Sequence, residues 1–205
     1  MLEERENPVS TTAIAQSMGV SLASVSEMLR RLAEKGLVTH TPYGGANLTD
    51  EGRRKFLHLT RRHRLWEVFL NRHLGLGWDE VYEQACLLEH STTETVADRL
   101  SQFLDNPKVC PHGSPIPDKN LHYSPISRTV LATLEPGDSG MITNVLIERD
   151  AAFLQYLTGL GLAPGVSVKV MEKAAVDGTL TIEIDGLTKA IGKDPASLIM
   201  VKRTS

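Results

Sequence analysis

Apolar residues recur at helical spacing through the first hundred positions and mostly at spacing two beyond residue 125. Ala13, Ile14 and Met18 fit a short helix, and Gly19 stands where a left-handed residue would end it. Ser21 then caps a second helix whose apolar face is Val25, Met28, Leu29 and Leu32, with Gly36 as its stop. Two short runs, 37–41 and 46–49, flank a Gly-Gly tip and predict a hairpin. Asp50 is placed to cap a long helix over residues 51–74, and two more helices are expected over 79–89 and 92–104. In the second half Val130, Ala132 and Leu134 share one strand face, as do Val166, Val168 and Val170, and Leu180, Ile182 and Ile184. Strands are also expected over 141–147 and 197–201, with a helix over 151–160. Short strands at this spacing suggest a small barrel.

The two patterns are separated by residues 106–125, which hold five of the ten prolines. Proline at this density forbids helix and central strand, so the segment reads as a linker. The chain is therefore α+β: an N-terminal winged helix-turn-helix over 1–52, a helical module over 53–105, the linker, and a small β-barrel over 126–205. Composition narrows the classes. Net charge is −3, which excludes a uniformly basic nucleic-acid coat but not a local basic face. Two cysteines exclude a disulfide scaffold and a four-cysteine metal site. No apolar run approaches 18 residues and the N-terminus MLEERENPVS carries no secretory pattern, so a cytoplasmic protein with no membrane partner is expected.

Short helix, glycine turn, longer helix and hairpin are the parts of a winged helix-turn-helix. The second helix would enter the major groove of duplex DNA with its N-terminal residues on base edges. Candidate DNA contacts are Ser21, Ala23, Ser24, Ser26 and Glu27, with Arg30 and Arg31 further along and Tyr43 in the wing. Glu27 can accept from a cytosine amino group but contacts no phosphate. Between residues 28 and 73 ten basic residues face four acids, a local excess of +6 in an acidic chain.

A second signal concerns metal. Cys86, Glu89 and His90 lie three and four apart on one helix face, and His63 and Glu67 stand four apart on the preceding helix. Thiolate, carboxylate and imidazole together suit a divalent transition metal if the two helices are antiparallel neighbours. Taken singly, Cys86 also reads as a core residue and His63–Glu67 as a surface pair. Cys110-x-His112 supplies only two zinc-type ligands and is assigned to packing of the linker.

The stretches GVSLASVSEMLRRLAEKGLV, PYGGANLTDEG, RHRLWEVF, EQACLLEH and CPHGSPIP, in that order, resemble the diphtheria toxin repressor family of metal-dependent regulators. GLGLAPGVSVKV and DGTLTIEIDG resemble its C-terminal FeoA-like barrel. The resemblance implies a homodimer that binds operator DNA as a repressor when loaded with Fe(II) or Mn(II). It implies Cys86, Glu89 and His90 as primary ligands and His63 and Glu67 as ligands of a neighbouring site. The helices after the winged helix would supply the dimer contact, with Val81, Ala85, Val96, Leu100 and Phe103 as apolar candidates that core packing explains equally well.

The chain departs from the family at several positions. Tyr82 stands where some iron-type members carry a histidine and manganese-type members often an aromatic, whereas manganese-type members carry a carboxylate at the position of Cys86, so the two positions point opposite ways on the metal. Thiolate softness tips the choice to iron. Glu148 and Asp150 are candidate ancillary ligands near the place where some members draw further donors from the barrel. Glu27 replaces a familiar amide, so the operator sequence does not carry over. MLEERE resembles the tail of a further helix, which leads to the expectation that the chain starts about 15–20 residues late. Rival readings are a winged-helix regulator that senses a small molecule without metal, and a metalloenzyme built on the Cys86–His90 cluster. The barrel could also dock proline-rich segments.

Overall fold

A computed structural model describes residues 8–41, 45–124, 127 and 129–204. The chain divides into two compact units, Met1–Leu59 and Thr60–Ser205.

The first unit holds α1 (Thr11–Met18), α2 (Leu22–Glu34), strands β1 (Val38–Thr41) and β2 (Gly45–Leu48), and the start of α3 (Asp50–Leu74). Ser10 caps α1 by accepting the Ala13 amide at 3.2 Å, and Gly19 closes it at φ +65°. Ser21 caps α2 through the Ser24 amide at 3.1 Å. Capping satisfies amides that a helix start leaves without partners. Val9, Ile14, Ala15, Val25, Leu29, Val38 and Ala46 form the core. The strands pair antiparallel from Val38↔Leu48 to Thr41↔Gly45. The long helix is capped one residue earlier than expected. Thr49 Oγ1 accepts the Gly52 amide at 3.0 Å and donates to the Gly36 carbonyl at 2.6 Å, so Asp50 is already the first helical residue. A Cβ at Gly52 would lie 1.9 Å from the Leu37 carbonyl oxygen, so only glycine fits there.

The second unit contains the rest of α3, then α4 (Val81–Glu89) and α5 (Glu94–Phe103). Leu65, Val68, Ala97, Leu100 and Leu104 pack with Cys110 and Ile116 from the proline-rich segment. That segment is therefore no free linker. The Lys108 carbonyl accepts the Ile116 amide at 2.8 Å, the Cys110 amide donates to the Ser114 carbonyl at 2.9 Å, and the His112 carbonyl accepts the Val145 amide at 3.1 Å. Proline excludes helix but not a tight, buried hairpin. Val81 and Ala85 are fully buried with Leu70 inside this unit, and Leu100 is nearly so, which removes them as dimer contacts. Leu87, Leu88, Val96 and Phe103 are the exposed apolar residues of α4 and α5.

The remaining elements are β3 (Thr129–Val130), β4 (Ser139–Val145), α6 (Ala151–Leu160), β5 (Ser167–Lys173), β6 (Leu180–Ile184), β7 (Leu187–Ile191), the short α7 (Lys193–Ala196) and β8 (Ile199–Thr204). The strands form one antiparallel sheet in the order β3-β8-β4-β5-β6-β7, bulged between Ile142 and Asn144 and between Val170 and Glu172. Among the described residues β3 and β7 do not pair, so the ladder is open where sequence suggests a barrel. Residues 131–133 form a 3-10 turn rather than a strand, which buries Leu131 and Leu134 instead of Val130 and Ala132. Among the described residues no helix is long and apolar enough to cross a membrane.

Candidate metal centre and nucleic-acid interface

α3, α4, the proline-rich hairpin and the loop after β4 deliver donor atoms to one buried region of the second unit. His63, Cys86 and Glu89 bring one ligand atom each within 4.8 Å of one another, and so do Glu67, Cys110, His112 and Glu148. In the first group His63 Nδ1 lies 2.8 Å from Glu89 Oε2 and 3.9 Å from Cys86 Sγ. Glu67 is fully buried and joins the groups: its Oε1 is 3.2 Å from both His63 Nε2 and His112 Nδ1. Neither approach has hydrogen-bond geometry, so both Glu67 oxygens and His63 Nε2 are buried without a hydrogen-bond partner.

The surroundings aim these side chains. The Trp78 carbonyl accepts a hydrogen bond from His112 Nε2 at 2.6 Å, which places the proton there and turns Nδ1 to the cluster. The indole of Trp78 stacks on the His112 ring and donates to Thr158 Oγ1 of α6 at 2.9 Å. Gly113 follows at φ +82°, and a Cβ there would stand 1.9 Å from the Thr143 carbonyl oxygen. Ser114 and Arg64 bind Glu148, and Arg64 also donates to the Pro115 carbonyl at 2.6 Å. At the α4–α5 turn Thr92 Oγ1 accepts the Trp66 indole N–H at 2.7 Å and donates to the Leu88 carbonyl at 2.8 Å, while Arg62 binds the Thr92 carbonyl. The turn that carries Glu89 is thereby tied to α3.

Burial and charge set the protonation states. Burial raises the Glu67 pKa, but His112 and His63 outweigh it and hold the carboxyl at about 2. Burial lowers His63 and His112, yet Glu67 with Glu89 or Glu148 raises both above the ordinary value. Burial pushes the Cys86 thiol up, and Glu89 adds to it; Cys110 is pushed well above its ordinary value by burial and then Glu67. Three carboxylates, two imidazoles and two thiols with orphaned acceptors make a donor set that fits divalent transition metals.

The expected site residues divide. His63, Cys86 and Glu89 come together; Glu67 stands between the two groups. The His90 side chain is 71% exposed at the rim, with Nε2 3.4 Å from Glu89 Oε1. Glu148 joins the second group, but Asp150 caps α6 by accepting the Phe153 amide at 3.0 Å and is spent there. Sequence reasoning missed Cys110 and His112 as candidate donors. Their signal was the Cys-Pro-His-Gly run, set aside because the other two donors come from segments 40 residues or so away on either side.

The α2 cap Ser21 and the α2 residues Ala23, Ser24, Ser26, Arg30 and Arg31 are exposed, and Glu27 is half-buried. Ser21 Oγ is occupied by its cap and by Ser24 Oγ at 2.8 Å. Glu27 binds Arg30 and Arg31, each at 2.8 Å, which holds its carboxyl at about 2. Tyr43 lies outside the described residues. Part of the basic excess turns inward: Arg61 pairs with Asp98 at 2.8 Å, Arg62 with Thr92 and Glu94, and Arg64 with Pro115 and Glu148. Those three cations bind protein groups of the second unit, so they are not free phosphate contacts.

Comparison with known proteins places this arrangement. Residues 1–46 match the iron dependent repressor N-terminal DNA binding domain, 49–118 its metal binding and dimerisation domain, and 129–203 the FeoA domain. The iron-dependent repressor IdeR of Mycobacterium leprae is 36% identical over 196 residues, covering 90% of this chain and 84% of that protein. The chain belongs to the diphtheria toxin repressor family. Its match to IdeR of Mycobacterium tuberculosis, 36% over 116 residues, covers 57% of this chain and spans half that protein's length. A solved manganese-dependent transcriptional repressor in complex with manganese superposes with a TM-score of 0.88 at 34% identity, over 98% of this chain and 93% of the other. Family members of this kind are transcriptional repressors rather than enzymes.

Proposed function

We propose that this protein is a metal-dependent transcriptional repressor that binds operator DNA as a metal-loaded homodimer. The observation that carries the reading is the pair of buried donor groups meeting at Glu67, whose oxygens lack hydrogen bonds. His63, Cys86 and Glu89 would hold one ion, with His90 turning in from the rim. Glu67, Cys110, His112 and Glu148 would hold a second. One thiol in each group favours Fe(II) over Mn(II), because sulfur is the softer donor. When bound, the ion would supply the buried carboxylates with positive charge in place of the imidazole protons.

The chain's own residues do the rest. α3 runs from the DNA-binding unit into the donor groups, so ordering His63 and Glu67 acts on the helix that follows the wing. Exposed Leu87, Leu88, Val96 and Phe103 are the dimer contact. Ser24, Ser26 and Arg30 face DNA. The bulged C-terminal sheet is read as a rolled FeoA-type module that lends Glu148. Linkage requires DNA to tighten metal binding by the factor by which metal tightens DNA binding.

The test is anaerobic titration with Fe(II), Mn(II) and Zn(II) while following binding to DNA selected by the protein from a random pool. Affinity should rise with Fe(II) or Mn(II), and Cys86→Ala should abolish the response while keeping the fold. A response to none of the ions sinks the reading. Binding that is strong without metal would favour a small-molecule sensor.

A further inference from the structure

Outside both donor groups, α3, α5 and the two arms of the Cys110 hairpin enclose a polar cavity of about 390 Å³. Arg61 forms part of its wall, yet is only 3% exposed. One terminal guanidinium nitrogen, Nη2, binds Asp98 at 2.8 Å; the other terminal nitrogen, Nη1, is buried with no hydrogen-bond partner. A buried donor left unpaired costs about 1–3 kcal/mol and calls for an acceptor. The protein's own carboxylates are already engaged. Asp98 is held by Arg61, and Asp118 accepts the amides of Asn120 at 2.8 Å and His122 at 2.9 Å. Lys108 and Lys119 line the same cavity and make no salt bridge among the described residues. Gln102 and Asn120 add amide donors. The wall thus carries three cations and spare donors against two carboxylates that already have partners.

We infer that this cavity binds a small oxyanion, held by Arg61, Lys108 and Lys119. The volume admits phosphate or a short dicarboxylate and is too small for a polymer. Lys108 opens the hairpin, whose base its carbonyl closes through the Ile116 amide, and Lys119 lies in the turn just past the other arm. An anion gripped by both lysines would tighten the loop that carries Cys110 and His112. Anion binding itself does not depend on the metal-repressor reading; only this effect on the second donor group rests on it.

The experiment uses the full chain without metal or DNA at low ionic strength. Inorganic phosphate and succinate are titrated separately by calorimetry, which distinguishes a phosphate ligand from a carboxylate one. At least one should bind, and hydrogen exchange should slow in residues 101–120. The double variant Lys108→Ala/Lys119→Ala should weaken binding at least tenfold with an unchanged melting temperature. The equally cationic pair Lys169 and Lys189 serves as control, and its removal should leave affinity unchanged. The inference is overturned if neither anion binds, if the Lys108/Lys119 variant binds as well as the wild type, or if the control pair has the same effect. It is equally overturned if phosphate binding is abolished by Arg30→Ala/Arg31→Ala instead.

Discussion

Glu67 is the residue on which the two donor groups turn, and its charge has a pH signature. Its folded pKa of about 2 lies below the ordinary 4.5, so it contributes stability above that value that is lost as pH falls toward 2. His63 and His112 are raised above 6.5, so their contribution is full below 6.5 and lost as pH rises through their folded values. The metal-free protein should therefore gain most from these three groups between about pH 4.5 and 6.5. A metal bound there would replace the protons of His63, His112, Cys86 and Cys110, so metal affinity should rise with pH over the range where metal-free stability falls. Melting temperature against pH with and without Mn(II) checks both slopes; parallel curves would contradict the assignment. His63, Cys86 and Glu89 were legible in sequence because helical spacing fixes which side chains share a face. The grouping of Glu67 with Cys110, His112 and Glu148 was not, because three distant segments deliver them and no period records that meeting.

At the scale of elements, two short segments carry expectations. The hairpin of residues 108–116 holds Cys110 and His112 only because Gly113 lets the chain pass against β4. Gly113→Ala should cost upwards of about 1–3 kcal/mol, since a Cβ there meets the Thr143 carbonyl and the backbone is left-handed. It should also halve the number of ions bound, leaving the group at His63, measured by calorimetric stoichiometry. Helix α2 is the other case. Glu27 ties down Arg30 and Arg31, so Glu27→Gln should free both for phosphates. DNA affinity should rise, and log K against log salt should steepen by about 0.9 per arginine engaged, read by fluorescence anisotropy. The capped helices and the wing strands were legible from serine, glycine and apolar period. The 3-10 turn at 131–133 and strand β7 were not, because a turn of three residues has no period and β7 is mostly exposed.

Across the whole molecule, the second unit joins helices, hairpin and sheet as one compact body. Trp78 is the link that can be followed. Its carbonyl holds His112, its indole holds Thr158 of α6, and the neighbouring Asp79 accepts from Gln155 of the same helix at 2.9 Å. Ordering His112 by metal should therefore slow hydrogen exchange in α6, some 40 residues along the chain, and Thr158→Val should weaken that transmission without lowering affinity at the His63 group. If α6 exchange ignores metal in the wild type, Trp78 carries no such link. The linker inferred from prolines was the main misreading at this scale. Proline reports what backbone is forbidden, whereas burial of the hairpin depends on partners far away in sequence.

The chain has two tryptophans, and each stands near a different donor group. Trp66 reaches Thr92 beside Glu89, and Trp78 lies 5.8 Å, ring to ring, from His112. An imidazolium quenches a stacked indole, so exchanging the proton of His112 for an ion should brighten Trp78. Trp66→Phe and Trp78→Phe would isolate the two signals, and the emission of each remaining indole during titration would show which group fills first. If both groups take metal, the protein carries its own optical gauge of loading, one channel for each group, without any attached dye.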